Sequence, residues 1–193
     1  MDISTEQVKQ LREETGVSVM QCRKALEEAA GDMEKARVIL RKKSKEQAEK
    51  KGDRTLGAGV IASYIHTTGK VGAMVTLLCE TDFVAKNEEF KTLARDIAMQ
   101  VAAAAPAYNR KENVTEDEKK AALEVLAKEV EVKPEEMKEK ILAGKLDAYF
   151  KDKILLEQSF IKNPEVTIGG LLDSAVQKFG EKVAISSFTR YEV

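Results

Sequence analysis

The chain has 193 residues, and its 32 lysines and arginines stand against 33 aspartates and glutamates, so its formal net charge is -1. This balance disfavours a protein that binds nucleic acid through a strongly basic surface. Hydrophobic residues make up 43% of the sequence, which is enough for a core and excludes global disorder. The two cysteines form no C-x-x-C motif, so neither a zinc site nor a redox site is expected.

The beginning of the chain shows no targeting signal. Residues 1–6 hold no basic stretch followed by an apolar run, as a signal peptide would. No segment of the sequence approaches the roughly 18 apolar residues of a membrane span. We therefore expect a cytoplasmic protein with reduced cysteines and without a membrane partner.

Residues 1–54 are predicted to form a small three-helix domain followed by a basic linker. Ser4 and Ser18 are each followed three residues later by a glutamine, which fits a capping box at the start of two short helices. Asp32 is placed to cap a third helix. Residues 41–54 hold seven basic and three acidic side chains, a local net charge of +4, and predict a solvated helical linker.

Residues 55–193 are predicted to form a larger core domain. Apolar runs at 60–66 and 73–79, separated by Thr67-Thr68-Gly69-Lys70, predict a β-hairpin. The second run is apolar on both faces, which is typical of a strand covered on both sides. Gly144 is expected to end one of the helices that follow. Their apolar spacing places helices at 88–105, 116–133, 134–143, around 146–154 and at 168–179, followed by a terminal strand at 182–191.

These elements together predict the α+β class. We expect a small amino-terminal domain of three helices, followed by a core in which helices cover a small antiparallel sheet. Three helices this short bury little surface, so most of the hydrophobic core is expected beyond residue 54.

The sequence offers little to bind a metal ion or a nucleotide. His66 is the one histidine, so a metal site and a histidine-based triad with Ser63 and Asp82 are disfavoured. The glycines at 57 and 59 lack the third glycine of a dinucleotide-binding loop, and Gly69-Lys70 lacks the first glycine of a phosphate-binding loop. We expect no cofactor, no direct nucleotide binding and no enzymatic reaction.

The segment from Glu80 to Asn87 joins the second apolar strand to a capped helix. It places the acidic Asp82 beside the bulky aromatic Phe83. In one interpretation Phe83 belongs to the core and Asp82 stabilises the turn. In the other, Phe83 enters a pocket of a partner protein while Asp82 acts on charged groups nearby.

Two segments of the chain resemble the signatures of one family. Thr81 to Asn87, T-D-F-V-A-K-N, is similar to a signature of bacterial translation elongation factor Ts. Leu11 to Leu26 resembles that family's first signature, L-R-x-x-T-G-A-G-M-M-D-C-K-K-A-L. The chain departs from this first signature at Val17, Ser18, Val19, Gln21 and Arg23. The similarity extends to residues 167–172 and 188–193, and the chain looks like a compact form with one copy of the core unit.

The resemblance implies nucleotide exchange on elongation factor Tu, the GTPase that delivers aminoacyl-tRNA to the ribosome. It implies that Phe83 inserts between helices of that partner, while Asp82 perturbs the groups around the bound magnesium ion. The residues implied in dislodging the metal are Thr81, Asp82, Phe83 and Val84.

The resemblance also implies a second contact and a homodimer. The three-helix domain resembles the ubiquitin-associated type and is expected to dock on the GTPase. The residues we place at this second contact are Arg12, Val17, Val19, Met20 and Lys24, and the alternative is that Val17 and Met20 are core residues. Compact members of the family are expected to pair two short cores as a homodimer.

Other functions stay open on the sequence. The basic segment 41–54 is compatible with a ribosome- or RNA-associated protein, whose binding to RNA weakens steeply with added salt. Few aromatic residues flank its lysines, so stacking on bases is disfavoured and no nucleic-acid partner is expected. An adaptor that binds polypeptides through the three helices is another alternative, and an enzyme is a third. The role of residues 116–143 is open.

Overall fold

The computed structural model describes residues 3–128 and 135–193 of the chain. The α+β class predicted from the sequence is confirmed. The helices are α1 (Thr5–Thr15), α2 (Val19–Glu28), α3 (Met33–Lys50), α4 (Asp82–Ala85), α5 (Glu88–Ala104), α6 (Glu116–Lys128), α7 (Glu135–Lys151) and α8 (Ile168–Phe179). The strands are β1 (Ala58–Ile65), β2 (Val71–Cys79), β3 (Ser159–Phe160), β4 (Asn163–Thr167) and β5 (Ala184–Glu192). Two short 3-10 helices lie at Lys111–Asn113 and Leu155–Glu157.

The first three helices enclose a small hydrophobic core of their own. The predicted cap at Ser4 is a full capping box, because its hydroxyl accepts from the Gln7 amide at 3.1 Å and the Gln7 side chain accepts from the Ser4 amide at 3.1 Å. Ser18 and Asp32 cap α2 and α3 as predicted. The full capping box predicted at Ser18 is not formed, because the Gln21 side chain accepts from the Ser18 hydroxyl and not from its amide. The buried side chains of this core include Val8, Leu11, Val17, Cys22, Leu26, Ala36 and Leu40. The likeness of this domain to the ubiquitin-associated type stays a prediction.

Helix α3 differs from the sequence-based expectation. Residues 41–50 are helical, as predicted, but they continue α3 without a break, and not all of their side chains are solvated. Ser44 is buried, donates to the Leu40 carbonyl and hydrogen-bonds the side chain of Gln177 in α8. Ala48, one turn later, packs against the larger core. The sequence-based expectation missed this buried face, because most residues of the segment are charged. The two small side chains lie four positions apart and so share one face of the helix. The domain boundary after residue 54 stays a prediction.

The larger core is built on a three-stranded antiparallel sheet in the order β1-β2-β5. The predicted hairpin is confirmed, with Ala58 opposite Cys79 at one end and Ile65 opposite Gly72 at the other. Helix α5 packs on the inner face of the sheet, and α8 belongs to the same core. The largest fully buried side chains of this core are Val75, Leu77, Phe90, Ile97, Val101, Leu155, Ile168 and Ile185.

The described residues leave the opposite face of the sheet uncovered, so the prediction that β2 is covered on both sides is wrong. Met74, at the centre of this face, is exposed. The residues of this outer sheet face, read from the strand pairing, are Gly59, Ile61, Ser63, Ile65, Gly72, Met74, Thr76, Leu78, Ser187, Thr189 and Tyr191. All are uncharged.

Helices α6 and α7 lie beside the core with a small apolar cluster between them, formed by Val114, Ala122, Phe150 and Ile154. The predicted helix end at Gly144 is wrong, because α7 runs through Gly144 to Lys151. Pro134, the predicted start of that helix, lies outside the described residues. The β3–β4 hairpin was not predicted, because its strands are too short for a period-two pattern. Within the described ranges, no helix combines the length and the apolar character that crossing a bilayer requires.

Candidate partner-binding site

Helix α4 forms a tight corner between β2 and α5, and this corner presents Phe83 to solvent. The hydroxyl of Thr81 accepts from the amide of Val84 at 3.5 Å and caps the turn. Val84 and Ala85 are buried in the core, whereas 84% of Phe83 is exposed. Successive side chains of a helix point about 100° apart, so the burial of these two neighbours leaves Phe83 on the outside.

The interpretation that Phe83 is a core residue is therefore wrong. Thr81 and Asp82 are exposed on the same corner. Val84 is buried in the core, so its predicted role at the partner contact is wrong, and it anchors the corner instead. The structure thus brings three of the four predicted residues to one surface. An exposed aromatic side chain on a hydrogen-bonded turn is typical of an anchor that fills a pocket in another protein.

Two glutamates hold this corner from both sides. The carboxylate of Glu181 accepts from the amides of Glu80 (3.1 Å) and Thr81 (3.0 Å) and from the Thr81 hydroxyl (2.6 Å). The carboxylate of Glu80 in turn accepts from the Lys182 amide at 2.6 Å and from the Arg54 guanidinium at 3.1 Å. Sequence reasoning missed Glu181, because no local pattern links it to a turn 100 positions earlier.

The charges of the corner follow from these contacts. The Lys182 amide and the Arg54 guanidinium hold the pKa of Glu80 below its usual range, so this carboxylate stays ionised. Burial raises the pKa of the Cys79 thiol, and the nearby carboxylate of Glu181 raises it further. The protonated thiol donates to the Thr81 carbonyl at 3.3 Å. Cys79 therefore packs and hydrogen-bonds as a neutral group.

The second predicted contact lies at the start of α2. Val19 and Met20 are exposed, and so are Arg12 and Lys24. Val17 is only 2% exposed and belongs to the small core, so its predicted surface role is wrong. The residue before it, Gly16, has a φ of 67° and ends α1 in the left-handed conformation, which turns the chain inward at Val17.

The described residues offer little to bind a metal ion or a small molecule. In the described part of the chain, no group of three or more histidine, cysteine, aspartate or glutamate residues is arranged to hold a metal. A cleft of about 350 Å³ lies between the end of α1 and helices α5 and α8. Its carboxylates already have partners, with Glu89 at 2.7 Å from Lys178 and Asp96 at 2.6 Å from Lys162.

Comparison with known proteins points to one family. The sequence model of the family described as elongation factor TS matches residues 4–193. The elongation factor Ts of Carboxydothermus hydrogenoformans is 48% identical over 193 residues, which cover 99% of this chain and 89% of the relative. That of Desulforamulus reducens is 46% identical over all of this chain and 89% of the relative. That of Thermotoga maritima is 45% identical over all of this chain and 97% of the relative.

Proposed function

Because this chain belongs to the elongation factor Ts family of translation elongation factors, we propose that it is the guanine-nucleotide exchange factor of elongation factor Tu. It binds the GDP-bound GTPase and promotes GDP release by displacing the magnesium ion. No covalent bond is made or broken in this role, so the protein is not an enzyme in the chemical sense. The observation that carries the proposal is the exposed phenyl ring of Phe83 on a corner held by hydrogen bonds.

The exposed ring of Phe83 is a source of binding free energy. Burying a phenylalanine side chain contributes about 1.5 to 3 kcal/mol. Since the ring is exposed in the free protein, this contribution becomes available only when a partner covers it. The corner is held by Thr81, Val84 and Glu181 before the partner arrives, so little ordering entropy is lost there on binding.

One ring does not suffice for exchange. Accelerating release about 10⁴-fold requires roughly 5.5 kcal/mol of preference for the loosened state of the GTPase. A second contact must supply the difference, and the exposed side chains of Val19 and Met20, with Arg12 and Lys24 nearby, are the surface that we propose for it.

In this mechanism the factor acts by weakening the binding of the magnesium ion in the GTPase. A magnesium ion that bridges phosphate oxygens neutralises much of the charge that holds a nucleotide in a GTPase. The carboxylate of Asp82 is exposed beside Phe83, where it would meet the groups around the metal once the ring is inserted. Displacing a residue that orients a metal ligand is enough to weaken the site. Because coupling is reciprocal, incoming nucleotide and magnesium expel the factor again.

We also propose that two copies of the chain pair through the outer sheet face. Ile61 and Ile65 are 68% and 71% exposed, and the face carries no charged side chain although 34% of the chain is charged. Depletion of charge around exposed apolar residues is typical of the centre of a protein interface. Phe83 does not belong to this face, because it lies on α4 beyond the end of β2.

The alternative of an RNA-binding protein finds less support. Several basic side chains of residues 41–54 are engaged within the chain. Lys43 pairs with Glu28 at 2.6 Å, and Arg54 pairs with Glu80 at 3.1 Å. Lys51 donates to the Gly180 carbonyl. These contacts reduce the positive charge left for phosphate groups.

Release of fluorescent GDP from magnesium-loaded elongation factor Tu tests the proposed function. Catalytic amounts of this protein should accelerate release, and Phe83→Ala should remove most of the acceleration. Val125→Ala is the matched control, since Val125 is also an exposed apolar side chain but lies on α6 away from the corner. Wild-type activity in Phe83→Ala would refute the site, and a wild-type protein without effect on release would refute the function.

A further inference from the structure

We propose that Glu181 is a positioning residue that aims Phe83 at the partner protein. This inference rests on the proposed function, because it concerns how the exchange corner is held. Glu181 lies on the segment between α8 and β5, far from the corner in sequence, and its carboxylate takes three hydrogen bonds from Glu80 and Thr81.

The orientation of Phe83 comes from its backbone, because its side chain is almost free of contacts within the chain. The ring is 84% exposed, so packing does not hold it in one direction. The backbone of α4 is therefore what sets the direction of the ring. That helix is a single turn of four residues, too short to be stable without external support.

Glu181 supplies this support through the hydroxyl of Thr81. The hydroxyl has one hydrogen, which it donates to Glu181 at 2.6 Å. Its lone pairs are then turned toward the Val84 amide, which donates to it at 3.5 Å. The same carboxylate also binds the Thr81 amide at 3.0 Å. One side chain thus fixes both the start of the turn and the group that caps it.

The second glutamate ties the same corner to the amino-terminal helices. Glu80 binds the Lys182 amide and the Arg54 guanidinium. The Lys182 ammonium donates to the carbonyls of Gly52 and Arg54, which follow the end of α3. These contacts join the corner to the residues that follow α3.

Removal of the Glu181 carboxylate tests the proposal. Glu181→Ala should slow catalysed GDP release about 10-fold to 100-fold, since misplacing a reacting group by about 1 Å costs up to about 100-fold in rate. Glu118→Ala is the matched control, because Glu118 binds the amide and hydroxyl of Thr115 in the same way, at 2.8 and 2.7 Å, but caps α6. This control variant should exchange at the wild-type rate.

A double variant distinguishes positioning from a general loss of structure. If Glu181 acts through Phe83, then Glu181→Ala added to Phe83→Ala should cause little further loss. Glu181→Gln keeps an acceptor for the two amides but presents NH₂ to the Thr81 hydroxyl, so it should recover part of the rate. A further tenfold loss in the double variant, or a wild-type rate in Glu181→Ala, would overturn the positioning role.

Amide hydrogen exchange measures how well the backbone of the corner is protected in the free protein, without the partner. Glu181→Ala should speed exchange at the amides of Thr81 and Val84, whereas Glu118→Ala should leave these amides unchanged. Unchanged protection in Glu181→Ala would also overturn the inference.

If wild-type protein does not accelerate GDP release, the proposed function fails and the positioning role fails with it. If wild type is active and Glu181→Ala equals it, only the positioning role fails.

Discussion

At the scale of single residues, side chains of one type have opposite roles within a few positions. Phe83 is exposed, while Phe90, seven positions later, is fully buried and packs edge-on against Phe179 with ring centroids 5.7 Å apart. The difference arises because Phe90 lies on the apolar stripe of a long helix, whereas Phe83 lies on the outer side of a single turn. Residue type alone therefore does not separate an exposed aromatic residue from a core residue.

We predict that Phe83→Ala leaves the free energy of unfolding within about 0.5 kcal/mol of wild type, as is usual for surface substitutions. Phe90→Ala should lower it by about 3 to 5 kcal/mol, because it leaves a cavity in the core. Urea denaturation followed by far-ultraviolet circular dichroism measures both. A large loss of stability in Phe83→Ala would show that the ring is packed within its own molecule.

We predict that the stability of the fold depends on pH in the alkaline range, because of one hydrogen bond of Tyr108. Tyr108 donates to the Glu118 carboxylate at 2.6 Å, and this bond, together with partial burial and the negative charge of Glu118, raises the pKa of Tyr108 to about 12. The unfolded chain loses the same proton near its ordinary pKa of 10.0. Its contribution to stability is therefore complete below pH 10 and decreases as the pH rises toward 12.

Tyr108→Phe should remove this part of the alkaline loss of stability, because phenylalanine has no proton to release. Denaturation midpoints measured below pH 10 and near pH 12 give the comparison. Glu118→Gln is the control for the cause, since without the carboxylate the pKa of Tyr108 should move back toward its ordinary value. An unchanged alkaline slope in Tyr108→Phe would contradict this assignment.

At the scale of elements, two glycines show when a helix end can be predicted from the local sequence and when it cannot. Gly180 ends α8 in the left-handed conformation with a φ of 72°, directly after the predicted helix at 168–179. Gly144 was predicted to end a helix in the same way, but it lies within α7. An added Cβ would meet nothing within 4 Å at either position, so only the backbone conformation distinguishes them.

We predict that Gly144→Ala stabilises α7 by about 0.5 to 1 kcal/mol, because alanine loses less backbone entropy in a helix interior than glycine. Gly180→Ala should instead destabilise the protein by about 1 to 2 kcal/mol, because alanine is strained in the left-handed conformation. Thermal denaturation of the two variants, together with amide hydrogen exchange in α7, measures both effects. Destabilisation by Gly144→Ala would contradict the continuous helix.

At the scale of the whole molecule, the sheet separates two surfaces. Its inner face packs against α5 and the core, and its outer face is uncharged and exposed. The corner that carries Phe83 directly follows the carboxyl end of β2. In the proposed function, the outer sheet face pairs two copies of the chain while the corner with Phe83 binds the GTPase.

We predict that the protein has twice the 21.4 kDa mass of the single chain in solution. Ile61→Glu should give the single-chain mass, because it places a charge in the middle of the proposed interface. Val125→Glu is the control, since Val125 is 63% exposed but lies on α6 outside the outer sheet face. Light scattering across a dilution series measures the mass. A wild-type protein at 21.4 kDa throughout would refute the homodimer.

Much of this protein could be predicted from the order of its residues. The caps at Ser4, Ser18 and Asp32 are found where expected, because an N-cap is a contact within three residues. The first hairpin and the apolar stripe of α5 also follow from short-range periodicity. The family was predicted from two signature segments, whose residue identities are specific to it, and the family model confirms the prediction. The periodicity of apolar residues does not contain this information.

Other features depend on contacts between distant parts of the chain, and sequence patterns do not contain them. Ser44 is buried because α8 lies against it, and Val17 is buried because Gly16 turns the chain inward. The exposure of Phe83 depends on which side of one helical turn faces the core. The carboxylate of Glu181 accepts from the Thr81 amide across 100 positions of sequence, and only the folded chain brings the two groups together. Local hydrogen bonds can therefore be predicted from the sequence, whereas the exposure of Phe83 and the contact of Glu181 with Thr81 follow from tertiary packing.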